Sequence, residues 1–112
     1  MTVLILNNTK EYIEYDATGA SSDTVFTMTL PNNVTGTRDR IVLMVSYNTS
    51  SGHNFTWSGT PILWQDNDEP SRIGDYNSDR ETMKIELWKD PLTGHWLGSY
   101  IRYTQNGGGG SY

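Results

Sequence analysis

Thr82-Met83-Lys84-Ile85-Glu86-Leu87-Trp88-Lys89, Asp90-Pro91-Leu92-Thr93-Gly94 and His95-Trp96-Leu97-Gly98-Ser99-Tyr100-Ile101-Arg102-Tyr103 follow one another without a break. Met83, Ile85 and Leu87 alternate with Lys84 and Glu86, the two-residue period of a strand with one face in a core. The Asp-Pro-Leu-Thr-Gly segment is rich in turn formers and returns the chain, so the two runs read as a β-hairpin. Trp88 shares the Lys84/Glu86 side. A tryptophan on the polar face of a strand points to a contact surface.

The rest of the chain follows the same grammar. Thr, Ser, Asn and Gly separate short runs of β-branched and aromatic residues, and no window carries several turns of 3.6-residue apolar spacing. Eight strands are expected: Thr2–Leu6, Lys10–Tyr15, Thr24–Leu30, Arg40–Tyr47, His53–Trp57, Pro61–Gln65, Thr82–Lys89 and His95–Thr104. In the third, Phe26, Met28 and Leu30 alternate with Thr27 and Thr29. Ile41 to Val45 is continuously apolar, as in a central strand covered on both faces, one of them by a neighbouring subunit. The longest stretch without a strand, Asp66 to Arg80, reads as a functional or mobile loop.

With 112 residues the chain is one small domain. The expected organisation is a single β-sandwich over residues 1–104 and a Gly-rich C-terminal arm over 105–112, ending in Tyr112. The fold class is an all-β antiparallel sandwich, with a jelly roll of about eight short strands as the topology. An immunoglobulin-like or other Greek-key sandwich would give nearly the same pattern.

Hydrophobic residues are 35% of the chain and aromatics 12%, so Trp, Tyr and Phe must supply much of the core. The chain has no cysteine, which removes thiol catalysis, disulfides and Cys-based zinc sites together. Cohesion is then expected from partner subunits. The net charge is -5 and the eight basic residues are scattered, which argues against a phosphate backbone as partner. No apolar run has the roughly 20 residues of a membrane span. Val3 to Leu6 lacks the basic flank and length of a signal peptide.

No catalytic constellation is legible. His53 and His95 each follow a glycine in an expected turn, with no G-x-S-x-G motif and no paired histidines. Asp66, Asp68, Glu69, Asp75 and Asp79 do not match the spacing of a calcium loop, and Pro70 interrupts them, so they read as a solvated acidic loop. No metal or cofactor is expected. Four N-x-S/T sequons, at Asn7, Asn33, Asn48 and Asn54, are the chance yield of an Asn- and Thr-rich chain. Trp57, Trp64, Trp88 and Trp96, with Tyr12, Tyr47, Tyr100 and Tyr103, invite a carbohydrate-binding reading, against the alternative that most are core or subunit-contact residues. Trp57, Trp64, Trp88 and Tyr112 are the candidate partner-binding residues.

Met1 to Leu30, Asn54-Phe55-Thr56-Trp57-Ser58-Gly59 and the hairpin Trp88 to Tyr103 are together similar to small β-domain virion proteins of tailed bacteriophages. The run Gly94 to Tyr100 ahead of a glycine-rich end carries most of the resemblance. That group includes capsid cement, staple or decoration proteins, many of them jelly rolls, and distal tail-fibre domains. The resemblance implies a non-enzymatic protein on the capsid exterior, made in the host cytoplasm, that binds the major capsid protein and itself as a homo-oligomer, a dimer before a trimer. The alternative is a tail-fibre or receptor- and carbohydrate-binding β-domain of an adsorption apparatus. Neither involves nucleic acid or membrane.

Overall fold

The computed structural model describes residues 2–6, 11–17, 23–32, 39–48, 54–71 and 80–105. Eight strands form: β1 (Thr2–Leu6), β2 (Tyr12–Asp16), β3 (Thr24–Met28), β4 (Arg40–Asn48), β5 (Phe55–Gly59), β6 (Ile62–Trp64), β7 (Arg80–Lys89) and β8 (Trp96–Gln105). A 3-10 turn, Gln65–Asn67, follows β6. Each overlaps one of the eight expected strands, and β1 has the expected bounds. Of the expected arm over 105–112, Gln105 belongs to β8, while residues 106–112 with Tyr112, together with His53, Asp75, Asp79 and the sequons at Asn7 and Asn33, lie outside the described residues.

Two sheets pack face to face as a β-sandwich. One has the order β1-β3-β5 and the other β2-β4-β7-β8-β6. The pairing corrects the antiparallel expectation: among the described residues four of the six strand pairs are parallel, namely β1–β3, β3–β5, β2–β4 and β6–β8. Only β4–β7 and the β7–β8 hairpin are antiparallel. Jelly rolls are built from antiparallel pairs, so this order gives the jelly-roll topology no support. The physical reason is the winding. From β1 to β5 the chain alternates between the sheets, and a strand that returns from the opposite sheet runs the same way as its predecessor.

The core lies between the sheets. Phe26 and Met28 of β3 and Phe55 of β5 face Ile41, Leu43, Val45 and Tyr47 of β4, Met83, Ile85 and Leu87 of β7, and Trp96 of β8, all buried. Aromatic rings bridge the layers, as the thin aliphatic content requires. Phe26 stacks on Trp57 at 4.7 Å and meets Phe55 and Tyr15 edge-on at 5.2 and 6.3 Å. Ile41 to Val45 does occupy a central strand, between β2 and β7, but it alternates: Val42 and Met44 face outward and are half-buried.

Two buried polar groups are matched rather than excluded. The Tyr47 hydroxyl donates to Glu81 Oε1 at 2.6 Å. The Lys89 ammonium, almost fully buried, lies 3.3 Å from Asp39 Oδ2 and 5.2 Å from the Trp96 ring centre.

Candidate functional site

The outer face of the five-stranded sheet carries the apolar patch that Trp88 foreshadowed. Because β7 alternates, Trp88 points away from the core and is 38% exposed. Its register partner on β8 is Leu97, and the partner of Leu97 on β6 is Leu63, itself 55% exposed. The three side chains therefore lie side by side across β7, β8 and β6. Together with Trp64, Gln65 and Gly98 they line a shallow depression of about 290 Å³. On the other flank Arg40 pairs in register with Trp88, and its guanidinium reaches Glu86 at 3.2 Å.

A second, polar hollow of about 210 Å³ adjoins it at Gln65 and is lined by Gln65, Asp66, Asp68, Ser99 and Tyr100. The turn that supplies it is unusual. Asp66 and Asn67 both take φ of 56°, the left-handed region that non-glycine residues adopt at a cost. The far side of the turn is held by the Tyr100 hydroxyl, which donates to Asp68 Oδ2 at 2.8 Å. Burial raises the Tyr100 phenol above its ordinary pKa, and the hydrogen bond to and negative charge of Asp68 push it the same way. A flat aromatic and aliphatic surface thus lies next to an amide, two carboxylates and a hydroxyl, a combination suited to binding a ligand with both apolar faces and hydroxyl groups.

Trp64 lines the depression and also packs against the fold. Its ring lies against Gly98, where a Cβ would fall 2.6 Å from two of its ring carbons. Its ring also meets Trp57 edge-on at 4.8 Å. Trp57 in turn donates from Nε1 to the Pro70 carbonyl at 2.7 Å, tying the segment after the turn to β5. Both tryptophans are half-buried and pack against the core, while Trp96 is wholly inside it. Of the three described candidates, only Trp88 stands on the exposed face. Gly98→Ala is expected to dislodge the Trp64 ring and cost about 2 kcal/mol in a urea titration. An unchanged near-ultraviolet circular dichroism spectrum would contradict that packing.

Leu63, Leu97 and Gln65 were not singled out by sequence, whereas Tyr100 belongs to the aromatic set read there as sugar-stacking candidates. Leu97 alone had a usable signal, since the hairpin places it opposite Trp88. His95 lies in the β7–β8 turn, where Asp90 is occupied with structure: its carboxylate accepts from the Leu92 N–H at 2.9 Å. That bond, with help from Thr93, holds its carboxyl below the usual range. Neither hollow described above includes a histidine. Comparison with protein-family models, with curated proteins and with solved structures finds no match to this chain.

Proposed function

We propose that this chain is a non-enzymatic β-domain of a phage virion that acts by recognition, as a tail-fibre or receptor- and carbohydrate-binding module. The observation that carries the proposal is the exposed Trp88–Leu97–Leu63 row beside the polar hollow of Gln65, Asp66, Asp68, Ser99 and Tyr100. An indole face accepts the C–H face of a sugar ring, and the neighbouring amide and carboxylates accept its hydroxyls. The carboxylates also disfavour acidic saccharides, so the favoured ligands are neutral or amine-bearing glycans.

The test is binding of the full chain to a glycan array and to host surface polysaccharide. Trp88→Ala is expected to lower apparent affinity at least about tenfold, roughly 1.4 kcal/mol, while leaving the urea midpoint nearly unchanged because the ring is on the outer face. Unaltered glycan binding by that variant would overturn the proposal.

Capsid decoration is the second reading. It is favoured by β1, an uncharged strand with no strand beyond it among the described residues, where Val3 and Ile5 stand exposed. Co-sedimentation with assembled phage heads, lost on charging that edge, is the outcome it requires.

A further inference from the structure

We infer that two copies of this chain pair through β1, antiparallel about Leu4, joining two three-stranded sheets into one of six strands. This does not rest on the recognition proposal, whose site is on the other sheet.

The four sheet edges differ in charge, length and cover. On β2, Glu14 and Asp16 are exposed, and a second copy there would set like charges together. β6 is only three residues long. The edge of β5 is covered: Phe55 N–H donates to the Ser71 carbonyl at 3.0 Å, and Trp57 holds Pro70. β1, Thr-Val-Leu-Ile-Leu, has no charge, no proline and no strand beyond it among the described residues. Its outer-face residues Val3 and Ile5 are 51% and 48% exposed. On a chain of net charge -5, this neutral segment is where two copies meet with least repulsion.

The backbone sets the register. Thr2 N–H donates to the Asp23 carbonyl and the Leu6 carbonyl accepts from Thr29 N–H, so residues 2 and 6, and by alternation 4, direct their amides and carbonyls toward β3. Val3 and Ile5 direct theirs to the open edge. An antiparallel partner centred on Leu4 places Val3 opposite Ile5 of the second copy, and the two pairs exchange four N–H···O=C bonds. Leu4 then faces its own counterpart on the core side, a non-hydrogen-bonded pair about 4.5 Å apart at Cα. A five-residue contact buries roughly half of the ~800 Å² per partner of a standard interface. The dimer is accordingly dissociable, in the micromolar range or weaker.

Sedimentation velocity of the full chain between about 5 and 500 µM is expected to show a monomer–dimer equilibrium. Val3→Glu and Ile5→Lys should each weaken it at least about tenfold, while the double variant, which sets opposite charges face to face, should restore it. The chain has no cysteine, so Leu4→Cys under mild oxidation should form a covalent dimer much faster than the exposed control Leu92→Cys. A monomer throughout, failure of the double variant to restore dimer, or equal crosslinking of the two cysteine variants would each overturn the inference. Val3 and Ile5 are surface positions, so these tests do not depend on Leu4→Cys keeping its fold. Glycan binding, read separately, is unaffected by any of these outcomes.

Discussion

Phe26→Ala is expected to lower stability by about 4 kcal/mol, the range for emptying a buried aromatic site. Phe26 is wholly buried in β3, the middle strand of its sheet, and its ring touches three others: Trp57 at 4.7 Å, Phe55 at 5.2 Å and Tyr15 at 6.3 Å. Tyr15 belongs to the opposite sheet, so the ring spans the two layers. Removing it separates contacts that a core short of aliphatic residues cannot replace by relaxation. Phe26→Leu retains most of the volume and should cost closer to 1.5 kcal/mol. Urea midpoints of the two variants, followed by tryptophan fluorescence, provide the check. Equal losses would mean that the ring contacts contribute nothing beyond volume.

Gly59→Ala carries the other large effect, about 3 kcal/mol, through the backbone rather than the core. Gly59 ends β5 at φ of 84°, in the left-handed region. A Cβ there would lie 2.1 Å from the Met28 carbonyl oxygen, which already accepts from the Thr60 N–H at 3.0 Å. Main chain cannot swing aside as a side chain can, so β5 must separate from β3 at its end, beside Trp57. A change below about 1 kcal/mol would show that the turn can be rebuilt cheaply. Contrast with Gly98→Ala is informative, because there the obstruction is a movable ring.

The strands were legible because short apolar or alternating runs bounded by turn residues are a local property, whatever lies beside them. The outward position of Trp88 follows from parity, given Met83, Ile85 and Leu87. Direction of pairing was not legible. A strand solvated on one face shows the same two-residue period beside a parallel or an antiparallel neighbour, and the crossover of the chain between sheets leaves no periodic mark.

The candidate site divides in the same way. Trp57, Trp64 and Trp88 are alike as residue types; parity marks Trp88 as outward, but only packing places the other two rings against the core. Asp66 and Asp68 read as a solvated acidic loop until the left-handed turn and the Tyr100 hydroxyl set them beside Gln65 and Ser99. Sequence by itself therefore determined the all-β class, the strand positions and the outward face of Trp88, since these depend on near neighbours. Tertiary structure alone decided the parallel winding, the row Trp88–Leu97–Leu63 and the place of β1 at the end of its sheet among the described residues, since each depends on which distant strands become neighbours.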